Sequence, residues 1–218
     1  FEKASWSEVY KIIKSKIENT NKDKICGFIG DLVNMQAGYI FKEFFDRTID
    51  SFKYESRSTQ SFIDNTVREN YLLNSTINGI EETDLIFLVG TNPRFEATMV
   101  NARIRKAYLN NKVKIISLND IGDLTYSYKF LDGKTQTIRD ITENKNEISK
   151  NIIDSKKPMI ILGESFLNTK SASYLFYSLK NFLLKHNKLT NDWNPLNILS
   201  SDAATVGNFD LDLINNKE

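Results

Sequence analysis

The sequence runs to 218 residues, with 29 Lys and Arg against 28 Asp and Glu and a formal net charge of +1. At roughly 100–200 residues per domain, that length makes one large domain or two small ones; 40% apolar and 26% charged residues exclude an intrinsically disordered chain. A balance so close to neutral offers no long-range attraction for nucleic acid or an acidic membrane surface.

Ser5 with Glu8 three residues on forms a capping-box pattern. Trp6, Val9, Ile12, Ile13 and Ile17 then recur at helical spacing, so the chain opens on a helix that the polar run Asn19 to Lys24 ends. Ile25-Cys26-Gly27-Phe28-Ile29-Gly30 predicts a short buried strand. A helix follows from Met35 to Phe45, then a second strand over Ser51 to Tyr54. Ser56 to Asn70 reads as a loop with a helical turn near Val67 to Leu73, and Thr76 to Glu82 as a short helix.

Asp84-Leu85-Ile86-Phe87-Leu88-Val89-Gly90 is the clearest segment. Its lack of polar alternation predicts a strand buried on both faces, as in a parallel sheet covered by helices. Thr91-Asn92-Pro93 is a turn, and Glu96 to Leu109 a helix with Arg103, Arg105 and Lys106 towards its end, where the dipole favours cations. Lys112 to Leu118 is the next strand, completing a right-handed βαβ unit. Ile121 to Gly133 is irregular and aromatic, Thr142 to Asp154 a polar helix, Pro158 to Leu162 a strand, and Ser171 to His186 an amphipathic helix. Pro195 to Ala203 reads as a last helix, with Pro195 in its first turn. Four or five buried strands alternating with helices predict an α/β fold: a doubly wound, mostly parallel sheet with helices on both faces. Residues 1–218 then form one domain or part of one.

The residue inventory narrows the chemistry. One cysteine, Cys26, excludes an intramolecular disulfide and any zinc or iron–sulfur site built from this chain's own thiolates. Its place inside an apolar run predicts burial. The one histidine, His186, excludes an apparatus that needs two, and its place near a helix end predicts a surface residue. No apolar run approaches the ~20 residues of a membrane helix, and no cationic-then-apolar leader opens the chain. The start at Phe1 and the end at Asn215-Asn216-Lys217-Glu218 read as a fragment or a processed piece of a longer protein.

The best candidate site is Gly90-Thr91-Asn92-Pro93-Arg94, at the carboxyl end of the most buried strand and before a helix. Ligands of open α/β sheets bind at such places, where helix N-terminal amides favour anions and Arg94 adds a guanidinium. The plainer reading is a tight turn, since the spacing is neither G-x-G-x-x-G nor a P-loop. Gly27-Phe28-Ile29-Gly30-Asp31 reads as a strand end meeting a helix cap at Asp31 or Asn34. Gly163-Glu164-Ser165 lacks the final x-G of a nucleophile elbow. The cluster Arg103, Arg105 and Lys106 reads as a solvated helix face or an intersubunit contact, and Tyr126, Tyr128 and Phe130 as core or interface aromatics.

Several stretches carry a resemblance. They are Glu69 to Asn74, Ile80 to Asp84, Leu88-Val89-Gly90-Thr91-Asn92-Pro93-Arg94-Phe95-Glu96-Ala97, Asn101 to Lys106 and Asp123-Leu124-Thr125-Tyr126, extended by Lys157 to Gly163 and Asp192 to Leu199. Together they resemble the largest iron–sulfur subunit (75 kDa or G-type) of respiratory complex I, in its carboxyl-terminal part, which is similar to the molybdopterin oxidoreductase fold. In molybdenum enzymes of that superfamily a Gly-x-Asn-Pro loop contacts the pterin dinucleotide, and Gly90-Thr91-Asn92-Pro93 matches it.

The resemblance implies a vestigial pterin loop at Gly90, Thr91, Asn92, Pro93 and Arg94, with no catalytic residue, no metal and no cofactor in this chain. Iron–sulfur clusters and FMN are expected elsewhere in the complex. It implies a non-catalytic scaffold of the peripheral, NADH-oxidising arm. The implied partners are the N-terminal iron–sulfur domain of the same subunit and the flavin- and cluster-bearing subunits, with no nucleic acid and no direct membrane span. The implied place is the matrix side of the mitochondrial inner membrane or the cytoplasmic face of a bacterial one. The alternative is a ligand-binding or molybdopterin-dependent oxidoreductase fragment that uses the Gly90–Arg94 loop.

Overall fold

A computed structural model describes residues 2–56 and 61–214. The chain divides into two compact units, Phe1–Thr59 with Asp202–Glu218, and Gln60–Ser201.

The first unit runs α1 (Trp6–Glu18), β1 (Gly27–Phe28), α2 (Met35–Phe44) with a π-helical turn at Phe45–Ile49, and β2 (Tyr54–Glu55). The capping box is present: Ser5 Oγ accepts from the Glu8 amide at 3.4 Å, and Glu8 Oε2 accepts from the Ser5 amide at 2.7 Å. The apolar stripe of α1 exists too, yet α1 buries none of its residues. Asn34 caps α2 by accepting from the Ala37 amide at 2.8 Å, and Asp50, in the left-handed conformation, ends the π turn. A small core forms from Phe45, Ile49, Tyr54 and Leu213.

β1 and β2 pair in parallel over two residues each. The expected strand over Ile25–Gly30 is thus cut short, and the second strand begins at Tyr54 rather than Ser51. Cys26 is exposed, against expectation. Successive strand residues face opposite ways: Gly27 turns inward while Cys26 and Phe28 turn out.

The second unit is built on a five-stranded sheet. Its elements are β3 (Leu85–Val89), α3 (Pro93–Glu96), α4 (Thr98–Asn111), β4 (Lys114–Ser117), β5 (Lys129–Phe130), α5 (Thr135–Thr142), α6 (Glu147–Asp154), β6 (Pro158–Leu162), α7 (Glu164–Leu167), α8 (Ala172–Lys185) and β7 (Leu196–Ile198). After it the chain returns to the first unit with α9 (Thr205–Asp210). The strand order is β5-β4-β3-β6-β7 and every pair is parallel. This is the doubly wound arrangement read from the sequence.

Why the central strands are apolar throughout is visible in the two cores. Leu85, Phe87 and Val89 of β3 join Ile160 and Leu162 of β6 under α5, α6 and α8. Ile86 and Leu88 join Met159 and Ile161 under α4 through Val100, Ile104 and Ala107. Both faces of the pleat are covered, so neither face of β3 or β6 leaves a place for a solvated polar residue. Asp84 fastens the start of β3 to the start of β6, accepting from the Lys156 and Lys157 amides at 2.8 and 3.0 Å and from the Ser155 hydroxyl.

Four expectations are corrected here. The polar helix expected over Thr142–Asp154 starts later, as α6 at Glu147, and α5 over Thr135–Thr142 precedes it unexpected. Left-handed Asn144 breaks the run, and Asn146 recaps it by accepting from the Ile148 amide at 2.9 Å. The irregular Ile121–Gly133 stretch contains edge strand β5. Thr76–Glu82 holds only a 3-10 turn at Gly79–Glu82. The helix expected over Pro195–Ala203 is strand β7: Leu196 and Ile198 enter the core while Asn197 between them is buried and hydrogen-bonded to Ser75 and Pro195. The loop expected over Ser56–Asn70 holds a 3-10 turn at Arg68–Asn70; its residues 57–60, like the expected terminus at 215–218, lie outside the described residues.

Candidate functional site

In the order β5-β4-β3-β6-β7 the chain reverses its winding between β3 and β6. That switch point, at the carboxyl ends of the strands, is where open α/β sheets bind ligands. Gly90 follows β3 there and Gly163 follows β6. The two loops are in direct contact. The Gly163 amide donates to Val89 O at 2.9 Å and the Ser165 amide to Gly90 O at 3.2 Å. A Cβ on Gly163 would lie 2.4 Å from Thr91 Cβ and 2.6 Å from Gly90 O. Gly90 has φ +64°, and a Cβ there would lie 2.3 Å from the Phe166 amide nitrogen. Both positions therefore demand glycine for close approach, and Gly90 for its left-handed backbone as well.

The side chains of the loop are engaged locally. Thr91 Oγ1 donates to Glu96 Oε2 at 2.6 Å, and the Asn92 amide donates to Glu96 Oε1 at 3.0 Å. Asn92 Oδ1 accepts from the Arg94 amide at 3.1 Å while Nδ2 donates to Ile121 O at 2.8 Å. Pro93 is buried at the first position of α3. Arg94 Nη1 donates to Asp123 Oδ2 and to Asp123 O, both at 2.7 Å. The Thr125 amide and then Arg94 hold the Asp123 carboxyl below its usual range. The Gly122 amide and the Tyr128 hydroxyl do the same for Asp120.

The five candidate residues are thus brought together; a one-turn helix α3 (Pro93–Glu96), broken at Ala97, precedes the expected long helix, which starts at Thr98 as α4 rather than at Glu96. Three partners escape sequence reading: Glu96, Ile121 and Asp123. Glu96, four residues beyond the Asn92 cap, carries a legible signal. Asp123-x-Thr125 is an aspartate turn pattern, but nothing local says that it meets Arg94.

The remaining candidates are structural. Gly30-Asp31 ends in an Asp31 carbonyl that accepts from the Ala204 amide at 2.8 Å, and Asn34 is a helix cap. Arg103 and Lys106 both pair with Glu81, the latter at 2.7 Å, while Arg105 is exposed. The Tyr126 hydroxyl donates to Asn101 at 2.7 Å, and burial pushes its phenol well up; Phe130 is exposed. His186 is half-buried, against expectation, its ring 4.8 Å from that of Phe182. Among the described residues no group of three His, Cys, Asp or Glu could hold a metal ion, and no helix is long and apolar enough to cross a membrane.

A model of the molybdopterin oxidoreductase family matches residues 1–218. The chain is 32% identical over 225 residues to the NADH-ubiquinone oxidoreductase 75 kDa subunit of Reclinomonas americana, a match covering 97% of this chain and 32% of that protein. It is 29% identical over 208 residues to the G-type subunit of the NADH-quinone oxidoreductase of Rickettsia bellii (strain RML369-C), covering 95% and 30%. To the corresponding protein of Rickettsia prowazekii (strain Madrid E) it is 30% identical over 213 residues, covering 95% and 30%. The chain spans about a third of the length of these curated relatives.

Proposed function

Since the chain belongs to the molybdopterin oxidoreductase family, we propose that it is a scaffold part of the NADH-oxidising arm of respiratory complex I. It supports electron transfer from NADH to quinone while taking no electron itself. The relatives are named as subunits of NADH-quinone and NADH-ubiquinone oxidoreductases. In this reading the iron–sulfur clusters and FMN belong to other domains and subunits, and the chain sits beside the inner membrane, on the matrix or cytoplasmic side.

The observation that carries the scaffold reading is the closed loop after β3. A pterin dinucleotide is anionic and needs free donors. At Gly90–Arg94 the Thr91 hydroxyl, the Asn92 carboxamide and the Arg94 guanidinium are all engaged with Glu96 or with the loop at 121–123. Two carboxylates, Glu96 and Asp123, lie against the loop and would repel an anion. A Cβ on Gly90 would meet the Phe166 backbone and one on Gly163 would meet Thr91, so the loops after β3 and β6 are packed against each other. These residues do not suit the cofactor, and they do suit a loop retained to join strands.

Native isolation tests the proposal. The chain is captured from gently solubilised source membranes, NADH oxidation is assayed, and co-isolating proteins and cofactors are identified. Recovery with flavin- and cluster-bearing subunits, and no pterin in stoichiometric amount with the chain, is expected. Recovery of the chain alone with a bound pterin or nucleotide would overturn the scaffold reading in favour of the ligand-binding one.

A further inference from the structure

The first unit turns several large apolar side chains to water. Trp6 is 74% exposed and Tyr10 62%, and Ile12 and Ile13 of α1 are exposed as well. Between α1 and α2 with its π turn runs a half-open groove of about 750 Å³, lined by Tyr10, Ile13, Ile17, Ile25, Phe44 and Ile49 among others. Helices hold together in water chiefly through a buried apolar face, yet α1, fully capped, buries none of its residues. Contiguous apolar surface on this scale marks an interaction site rather than a stray side chain.

A second observation is independent of the groove. The sheet of this unit has two parallel strands of two residues each. Parallel sheets are normally covered on both faces, and an isolated strand pair is at best marginal. Here β1 is an edge strand, and Phe28 on it is 76% exposed. A sheet edge and a helix face left open in one unit point to a layer whose other part comes from elsewhere.

We propose that the groove between α1 and α2 is the docking site for a segment of the polypeptide that the curated relatives carry outside this match, about two thirds of their length. This rests on the complex I reading above, and names the surface by which the chain joins its subunit. The groove fixes the segment's chemistry. It is a helix with a continuous apolar ridge, of the helix-in-groove kind. Lys14 and Lys22 border the groove and pair with Glu18 and Asp50, so the segment is recognised by its apolar ridge rather than by charge.

Site-specific photo-crosslinking in the native source tests this, with a photoreactive phenylalanine at Tyr10 or at Ile13 and a control at exposed Lys150. Crosslinked peptides from Tyr10 and Ile13 are expected to map to the part of the subunit outside residues 1–218, and Lys150 is expected to give none of them. Crosslinks to residues 60–201 of this chain, or to a second copy of it, would overturn the proposal. In parallel, Ile13→Lys should leave the melting temperature of the chain unchanged and reduce its recovery with the rest of the subunit at least tenfold. Undiminished recovery of Ile13→Lys, with the wild type still in the complex, defeats the groove alone. Failure of the wild type to enter the complex defeats the complex I reading with it.

Discussion

Arg94 and Asp123 lock the loop after β3 to the loop after β4: one guanidinium nitrogen donates to both the carboxylate and the backbone carbonyl of Asp123, each at 2.7 Å. The cation best placed to meet an anionic ligand is thus paired with a carboxylate and joins two loops. Both side chains are solvent-exposed to a large degree, and exposed ion pairs contribute little. Arg94→Ala is accordingly expected to lower the melting temperature by a few degrees at most and to leave assembly into the complex intact. Thermal unfolding of the variant, with a co-isolation assay, checks both. A variant of unchanged stability that loses a bound anion would show instead that Arg94 serves a ligand.

The contact of Gly163 with Thr91 gives the second prediction. Gly163→Ala forces a methyl group to within 2.4 Å of Thr91 Cβ and 2.6 Å of Gly90 O, a backbone atom that cannot swing aside. Overpacking of this kind costs about 1–3 kcal/mol. A denaturant midpoint lowered by that amount, with an unchanged slope, is the expected result. Equal stability would mean that the loops after β3 and β6 stand apart.

Which features are legible in the sequence follows from how local their causes are. β3 and β6 announce themselves because five consecutive residues are buried on both faces, so the pattern lies in the strand itself. The capping box of α1 is equally local. β7 is hidden because its polar residue, Asn197, is satisfied by Ser75, 122 residues away, and Pro195 imitates a helix start. The late start of α6 turns on the left-handed Asn144, which no spacing marks. The apolar run around Cys26 imitates a full buried strand, whereas only Gly27 and Phe28 pair. The position of the Gly90–Arg94 loop is readable from strand and turn. Its closure by Asp123 is not, because that contact joins residues 29 apart.

Asp84 gives stability a pH dependence. Its partial burial pushes the carboxyl up, but the Ser155 hydroxyl and the Lys156 and Lys157 amides outweigh this and hold it below the usual range. A carboxylate whose folded pKa is depressed stabilises the fold above its unfolded value, about 3.9 for Asp, and loses that contribution as pH falls through the folded pKa. Asp84→Asn should therefore be less stable than the wild type at neutral pH, and the gap should narrow and close as the solution is acidified below about pH 3.9. Urea unfolding of both proteins across an acid series checks this. A gap that stays constant through the acid range would remove Asp84 from the acid limb.

Asn197 offers the most searching test of the sheet edge. It is fully buried in β7. Its Oδ1 accepts from the Ser75 amide at 2.8 Å, and its Nδ2 donates to Ser75 Oγ at 3.0 Å and to Pro195 O at 2.9 Å. Asn197→Leu keeps the branching of the side chain and removes every one of these bonds, leaving the buried Ser75 amide without a partner, while the Pro195 carbonyl keeps the Ile160 amide at 2.7 Å. Each buried group left unsatisfied costs about 1–3 kcal/mol, more than the added apolar burial returns at a site already closed to solvent. The variant should lose about 1–3 kcal/mol, and hydrogen exchange should quicken at Leu196 to Ile198 and around Ser75 before it quickens in β3. Asn197→Asp, which keeps the acceptor for the Ser75 amide and loses the donor, should be destabilised as well, increasingly so as the new carboxyl ionises. If Asn197→Leu proved as stable as the wild type, Asn197 would not be the residue that holds β7 against the segment at Ser75.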